Sequence, residues 1–347
     1  MIKIQNPDNG IHKMFKEINQ NNSLLIIGPV RNRNREGDIL YFESIHEVVS
    51  AYNTEEGPLI KAFEEAKRCG AEHIFLANAN EFNTYLKIFR IASEHDFAFI
   101  APIEIRNIDY FIDPRIEHRR EVPFAYYLNE LSQNNSSIVL TTSLHASLFN
   151  DLDHFLDDLF FEYEFLQRKK HGALHLEKFC YVANNLIDFD YANVAIASVI
   201  SSYEGQYPDY DFGDTVYPVD ALEIMNKHIV YFDTHPDQNT TVENLINFVD
   251  PATPITSIMT LRAVHYIKRS LDLSVYVGRP FSNSLKVIIH DNIKEFLNSI
   301  KGHIIQDFGR INVRLLRNDR PAGKIEVSME ITDLHTANSC TVVIGGE

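Results

Sequence analysis

The stretch that decides the fold of this chain begins with TLRAVHYIKRSL (residues 260–271) and ends with CTVVI (residues 340–344). Its first segment has apolar residues at helical spacing, which predicts an amphipathic helix. The apolar face carries Met259, Ala263, Tyr266, Ile267 and Leu271. Arg262, His265 and Arg269 fall on the opposite face, which is therefore predicted to be mostly basic.

A second helix is predicted from GRPFSNSLKVIIHDNIKEFLNSIKG (residues 278–302), where apolar residues form one stripe. Gly302 lies where this helix would end, because glycine adopts the left-handed conformation that terminates many helices. Residues 311–315 alternate apolar and polar side chains, which predicts a strand. Turn-forming residues follow at 318–323.

The last two strands of the block carry the residues predicted to take part in assembly. The first of them alternates polar side chains with Ile325, Val327, Met329 and Ile331. The second contains Val342 and Ile344, and no turn that would fold it back is visible in the sequence. An unpaired strand edge tends to pair with another chain, and Ile2 and Ile4 at the other end of the chain show the same alternation. The block is predicted to be a small α+β domain whose terminal strands must find partners.

The region upstream alternates apolar strands with helices, which predicts a mostly parallel sheet covered by helices. The predicted strands are residues 24–27, 73–76, 97–100, 138–140 and 194–199. The predicted helices include residues 58–69, 82–94 and 151–167. We therefore expect an N-terminal arm (1–22), an α/β domain (23–205), an irregular connection (206–256) and the α+β domain (257–347).

The charge of the chain is unevenly distributed. Residues 251–347 contain 12 Lys and Arg against 9 Asp and Glu, a net charge of +3, so the −16 of the whole chain leaves −19 for residues 1–250. An acidic body argues against nucleic-acid binding, which needs a concentrated basic surface. The three cysteines are widely spaced, and no apolar run approaches the length that crosses a bilayer, so we expect a soluble protein without disulfides that does not insert into membranes.

Two motifs near strand ends could carry catalysis or nucleotide binding, and the sequence favours a structural interpretation of both. Gly28 follows an apolar strand, but GPVRNRNREG has neither the GxGxxG nor the P-loop spacing. Ser143 and His145 follow another strand, but no GxSxG motif is present to activate the serine.

Two further motifs could bind a metal ion, and both fall short of the required ligand set. His171 and His175 would share one face of a helix, but the nearest acid, Glu177, would point elsewhere. The acidic turn with Asp209, Asp211 and Asp214 lacks the glutamate that completes a calcium loop. The sequence therefore predicts no catalytic, cofactor-binding or metal-binding residue, and no cofactor.

TLRAVHYIKRSL, GRPFSNSLKVIIHDNIKEFLNSIKGHIIQDF, a hairpin and a terminal strand together resemble the C-terminal domain of contractile tail sheath proteins. That family occurs in myophage tails, R-type bacteriocins and related contractile injection machines. SLLIIGPV, YFESIHEVVSAYN and GPLIKAFEEAKRCGAEHIFLANA are similar to its N-terminal α/β region, and FAFIAPIEI and SSIVLTTSL lie where the family has its next two core strands.

The resemblance implies a structural subunit that forms a helical homopolymer of stacked rings around an inner tail tube. It implies that terminal strands are exchanged between neighbours, here through Ile2 and Ile4, the Ile325–Ile331 strand, and Val342 and Ile344. It also implies that the first helix of the C-terminal domain contacts the tube, with Arg262, Lys268 and Arg269 as candidates. The expected partners include baseplate and terminator proteins, and the expected location is a virion tail or tail-like particle assembled in the host bacterial cytoplasm.

Two alternatives remain open from the sequence. One is another structural ring component of the same machine, such as a terminator or baseplate protein. The other is a doubly wound α/β enzyme, with its site at the carboxyl ends of strands such as 97–100 or 138–140.

Overall fold

The structure is a computed structural model, and it describes residues 22–95, 97–112, 121–134, 137–170, 178–202, 210–217, 224, 227–234, 240–243, 257–271, 273–276, 279–316, 324–334 and 339–346. The described residues form two compact units. The first contains the described residues up to 243, and the second contains those from 257 onward.

The first unit is built on a six-stranded sheet in the order β2-β3-β1-β4-β7-β8. Its strands are β1 (Ser23–Gly28), β2 (Ile39–Phe42), β3 (His73–Asn78), β4 (Phe99–Pro102), β7 (Ile138–Thr142) and β8 (Phe179–Val182). Five of them run parallel, and β2 pairs antiparallel with β3 at one edge. The prediction of a mostly parallel sheet is confirmed. The strands are buried on both faces, as expected when helices cover both sides of a parallel sheet.

Helices cover the two faces of this sheet in two groups. The helices are α1 (Ile45–Tyr52), α2 (Pro58–Arg68), α3 (Phe82–Ser93), α4 (Phe124–Asn134), α5 (Leu152–Lys170) and α6 (Ala192–Ser202). Helices α3, α4 and α5 pack with Leu25 and Ile27 of β1 in one apolar cluster. Helices α1, α2 and α6 pack together on the opposite face of the sheet. Leu24 and Ile26 of β1 are fully buried beneath these helices. The short strands β5 (Tyr110–Ile112) and β6 (Glu121–Pro123) form a separate hairpin before α4.

One predicted strand of this unit is wrong. Residues 194–199 lie inside helix α6, in which every residue from Ala192 to Ser201 is buried. A helix surrounded by other elements is apolar on all sides, so its sequence shows no helical period and resembles a buried strand. The parallel edge strand is instead β8, which was not among the strands predicted from the sequence.

The expected irregular connection also differs in its described parts. Strands β9 (Tyr231–Thr234) and β10 (Thr240–Glu243) form an antiparallel hairpin, and Val182 at the end of β8 forms a bridge to Val230. Residues 210–217, 227–234 and 240–243 therefore belong to the first unit rather than to a linker. The predicted N-terminal arm lies outside the described residues except for Asn22.

The second unit contains the elements predicted for the C-terminal block. These are α7 (Ile258–Ser270), α8 (Asn283–Ile300), β11 (Ile305–Leu316), β12 (Lys324–Asp333) and β13 (Ser339–Gly346). Ser257 and Ser282 cap the two helices by accepting N–H groups of Met259 and Leu285, each at 3.1 Å. Gly302 has a φ of +80° just after α8, as the predicted helix end requires.

The core of the second unit is formed by α7, α8 and one face of an antiparallel sheet with the order β11-β12-β13. Helix α8 buries the stripe Leu285, Ile289, Ile293, Leu297 and Ile300. The sheet contributes Val313, Ile325, Val327, Met329, Ile331 and Val342. Because side chains alternate along a strand, Ser328 and Val343 lie on the other, solvent-facing side of this sheet.

Among the residues that the structure describes, no helix is both long enough and apolar enough to cross a membrane.

Candidate functional site

A cleft of about 800 Å³ opens in the first unit at the carboxyl ends of β1, β4 and β7. The strand order reverses at β1, because β3 lies on one side of it and β4 on the other, so β1 marks the topological switch point of the sheet. Doubly wound α/β proteins bind their ligands at such a point. The cleft is therefore the place at which an enzymatic site would be expected.

Ser143 and His145 line this cleft, but their side chains hold the loop after β7 in place. The Ser143 hydroxyl accepts the N–H of Asn184 at 2.9 Å and donates to the carbonyl of Leu144 at 3.0 Å. His145 Nε2 lies 2.7 Å from the Leu186 carbonyl, which fixes Nε2 as the protonated nitrogen, and Nδ1 accepts the N–H of Ser147. Neither hydrogen-bond pattern pairs the serine with the histidine as nucleophile and base; both side chains bond to groups of neighbouring loops instead.

The turn after Gly28 is organised by Asn78, a buried residue that sequence analysis did not single out. Its Oδ1 accepts the N–H of Val30 at 3.0 Å, and its Nδ2 donates to the carbonyls of Asn32 and Asn34. A Cβ added to Gly28 would lie 2.2 Å from Ile103, so the glycine permits close packing of β1 against the loop after β4. The Val30 amide that a phosphate would need is therefore already occupied by a side chain.

Arg106 lines the cleft and belongs to an ion-pair network that reaches into the core. Its guanidinium donates to Asp158 at 2.7 Å and to Glu162 at 3.0 Å, both on α5. Glu162 is fully buried, and its second oxygen accepts the N–H and the Nδ2 of Asn107 at 2.9 and 2.8 Å. Burial raises the pKa of Glu162, and the adjacent guanidinium opposes that effect. The network anchors the loop after β4 to α5.

Glu65 holds the start of α6 from the neighbouring helix α2. It is 8% exposed, and its carboxylate accepts the N–H groups of Asp190 at 2.7 Å and Tyr191 at 3.1 Å. The Tyr191 carbonyl accepts the N–H groups of Val194 and Ala195, so Tyr191 is the residue at which α6 begins. Burial raises the pKa of Glu65 to about 7, although the two backbone hydrogen bonds act in the opposite direction.

The raised pKa of Glu65 predicts a pH-dependent stability of the first unit. The folded state binds the Glu65 proton more tightly than the unfolded chain does. The contribution of Glu65 to the free energy of unfolding is therefore greatest below its unfolded pKa of about 4.3, and it is lost as the pH rises through about 7. We expect Glu65 to contribute a decrease of roughly 2–3 kcal/mol between about pH 5 and about pH 8. The variant Glu65→Gln, which resembles the protonated form, should not show that decrease.

Urea denaturation followed by far-UV circular dichroism between about pH 5 and about pH 8 measures this difference. The exposed substitution Glu164→Gln on α5 is the control and should leave the wild-type pH profile unchanged. Identical pH profiles for wild type and Glu65→Gln would show that Glu65 does not titrate in this range.

The three residues predicted to contact a tube lie on α7, but they differ in exposure. Lys268 is exposed, whereas Arg262 and Arg269 are half-buried. His265, which was expected on the same polar face, is only 3% exposed. Helix α7 is thus buried over more of its circumference than its sequence pattern predicts, and Lys268 is the most open of the three cations.

The residues predicted for strand exchange form the centre of the second unit. Ile325, Val327, Met329 and Ile331 of β12 are fully buried, and Val342 of β13 is 1% exposed. Ile344 is half-buried, while Ile2 and Ile4 lie outside the described residues. The sequence contains no recognisable turn that would fold the terminal strand back. In the single chain, β13 nevertheless pairs antiparallel with β12, from Ser339 opposite Thr332 to Gly346 opposite Ile325. That expectation is corrected, and β11 and β13 form the two edges of the sheet.

Comparison with solved structures identifies this architecture. The sheath tail protein of Desulfitobacterium hafniense matches with a TM-score of 0.62 at 11% sequence identity, over 96% of this chain and 99% of that chain. This is the fold of tail sheath proteins. The sheath of the PVC extracellular contractile injection system, solved in its contracted state, has the sheath fold with a TM-score of 0.59 at 10% identity, over 88% of this chain and 87% of that chain.

The sheath tail protein Lin1278 of Listeria innocua matches with a TM-score of 0.55 at 8% identity, over 93% of this chain and 94% of that chain. No protein-family model and no curated protein matches the sequence. The sheath fold is therefore recognised over nearly the whole chain by structure, at sequence identities of only about one residue in ten.

Proposed function

We propose that this chain is the structural subunit of a contractile tail sheath. It polymerises around an inner tube and contracts to drive that tube through an envelope. The observation that carries the proposal is the match of the sheath fold over 96% of this chain and 99% of a sheath tail protein. A structural role also agrees with the cleft, where Ser143 and His145 serve the loop that contains them.

The proposal places the energy of contraction in contacts between subunits. An extended sheath is then metastable with respect to a contracted form that buries more surface between its subunits. No bound nucleotide, metal or other cofactor is required for such a change. The partners are further copies of the chain, an inner tube protein, and baseplate and terminator proteins, within a virion tail or tail-like particle assembled in the host bacterial cytoplasm.

Negative-stain electron microscopy of the purified, concentrated protein tests this function directly. Long hollow tubes are the expected result. Isolated rings would favour a terminator or baseplate component. A monomer that binds a small molecule saturably in the cleft would favour a doubly wound enzyme, and either result would overturn the sheath proposal.

We further propose that the sheath subunits are linked by exchange of terminal strands. The contact between β13 and β12 within one chain supports this proposal, because the same contact can form between two copies when the strand is exchanged. A terminal strand at the edge of a three-stranded sheet is also the element that can detach at the least cost to the core. The residues involved are Ile2, Ile4, those of β12, Val342 and Ile344.

The basic side chains Arg262, Lys268 and Arg269 are proposed to contact the inner tube. Lys268→Glu is the most direct test, because this side chain is exposed and the buried part of α7 remains unchanged. We expect the variant to fold normally and to cosediment with its tube protein several-fold more weakly, with the largest loss at low salt, where charges are least screened.

The matched control for the tube contact is Arg310→Glu, a charge reversal of an exposed residue on β11. It should cosediment with the tube as the wild type does. Equal cosedimentation of both variants and the wild type would remove Lys268 from the tube contact.

A further inference from the structure

The cleft at the carboxyl ends of β1, β4 and β7 has an excess of negative charge. Its three cations are each held by a carboxylate. Arg31 pairs with Glu56 at 3.3 Å, Lys61 pairs with Asp190 at 2.7 Å, and Arg106 pairs with Asp158 and Glu162.

Three carboxylates of the lining, those of Glu55, Glu64 and Glu104, make no ion pair with any residue in the described ranges. The cleft therefore attracts positive charge.

Glu104 and Asn184 contribute hydrogen-bond acceptors to the lining of the cleft. Glu104 has a φ of +57°, an uncommon conformation for a residue with a side chain, and it accepts the hydroxyl of Tyr191 at 2.6 Å. Asn184 is 2% exposed, and its Oδ1 has no hydrogen-bond partner among the described residues, although its Nδ2 donates to the Asp190 carbonyl. Ammonium and guanidinium groups are donors without acceptors, so they complement this lining.

Apolar surface next to these acceptors indicates that the occupant is a protein segment rather than a free cation. Leu148 on the wall of the cleft is 69% exposed, and Ile105 lines it as well. Large apolar side chains exposed beside charged groups are common where two proteins meet. The segment that fits must combine basic and apolar side chains on one exposed surface.

Helix α8 of the second unit offers such a surface. Lys286 is exposed and stands beside Val287 and Ile288, which are 56% and 46% exposed. Lys294 is exposed two turns further along, and within the described part of the chain neither lysine forms an ion pair. The second unit also belongs to the part of the chain with a net charge of +3, whereas residues 1–250 carry −19.

We propose that the acidic cleft of one subunit receives the Lys286–Ile288 turn of α8 from a second copy of this chain. The ammonium groups of Lys286 and Lys294 face Glu55, Glu64 and Glu104, and Val287 and Ile288 pack against Leu148 and Ile105. The contact rests on the proposed sheath function, because it supplies one of the interfaces by which the chain polymerises.

Charge reversal on each side of the contact tests it in the full-length protein. Glu55→Lys with Glu64→Lys reverses the cleft, and Lys286→Glu with Lys294→Glu reverses the helix. All four residues are exposed, so both double variants should keep the wild-type melting temperature. Each should raise the critical concentration for polymerisation at least about tenfold, measured by ultracentrifugation of a dilution series.

The quadruple variant that carries both reversals restores opposite charges across the contact. We expect it to polymerise within about threefold of the wild-type critical concentration, and we expect high salt to reduce the differences among all variants. Asp153→Lys with Asp157→Lys, an equal charge change at exposed positions of α5, is the control and should polymerise as the wild type does.

Two outcomes separate this inference from the function on which it rests. Tubes that form at the same concentration for the wild type and both reversals, or a quadruple variant no better than the double variants, would overturn the contact alone. A wild-type protein that remains monomeric at every concentration would overturn the sheath function and the contact together.

Discussion

A disulfide ladder is expected when a polymer of the Ser328→Cys/Val343→Cys variant is oxidised. Ser328 on β12 and Val343 on β13 lie directly opposite each other on the solvent-facing side of the sheet. Opposite residues of antiparallel strands have Cα atoms about 4.5–5.5 Å apart, which a disulfide can bridge. If β13 is exchanged between subunits, each disulfide joins two chains, and denaturing gel electrophoresis without reductant shows covalent multimers.

Controls for this experiment use the same sheet. Asn312→Cys/Ser328→Cys links β12 to β11 of its own hairpin and should give a single-chain product in both monomer and polymer. All variants carry Cys340→Ser, and the native thiols of Cys69 and Cys180 are buried. A polymer of the test variant that yields only single-chain product would show that β13 stays on its own β12, and exchange of β13 would be excluded.

The largest loss of stability in the first unit is expected for Glu162→Ala. The substitution leaves the half-buried guanidinium of Arg106 with Asp158 alone. It also removes the acceptor of the Asn107 N–H and one of the two acceptors of Asn107 Nδ2, which keeps Thr141 Oγ1. Breaking a buried ion pair by removing one partner costs about 3–5 kcal/mol, because the remaining polar groups stay buried without compensation. The melting temperature of this unit should fall by about 6–12 °C.

A control on the same helix separates burial from charge. Glu164→Ala removes an exposed ion pair with Arg168 and should cost only about 0.3–0.5 kcal/mol. The double variant Arg106→Met/Glu162→Leu should lose less stability than the two single variants added together, since it removes both charges. If Glu162→Ala and Glu164→Ala melted at the same temperature, the network would not contribute to stability.

The sequence predicted those elements whose apolar pattern has a clear period. The stripe along α8 and the alternation of β12 identified both elements, because each has one face in the core and one face in solvent. Helix α6 was mistaken for a strand, since it is buried on all sides and its composition carries no period. The partner of β13 was also missed, because strand pairing depends on chain path and not on the composition of the strand itself.

The residues of the cleft were only partly accessible from the sequence. The structural role predicted for Ser143 and His145 came from a missing motif, which is local information, and the hydrogen bonds of both side chains agree with it. Asn78, Glu65 and Glu162 left no local signal, because each acts on backbone or side-chain groups of a segment distant in the chain. Buried polar groups of this kind are recognised only when their hydrogen-bond partners are known.

The sequence alone was enough to predict an acidic, mostly parallel α/β region followed by an α+β block whose succession of elements resembles that of sheath proteins. Periodicity and composition are properties of short segments. They can be recognised even though this chain is only about 10% identical to the sheath proteins that share its fold. The three-dimensional fold was needed to show that β13 pairs with β12, that His265 is buried, and that Glu55, Glu64 and Glu104, which form no ion pair with a described residue, line one cleft. These features arise from contacts between residues far apart in the chain, which no segment specifies alone.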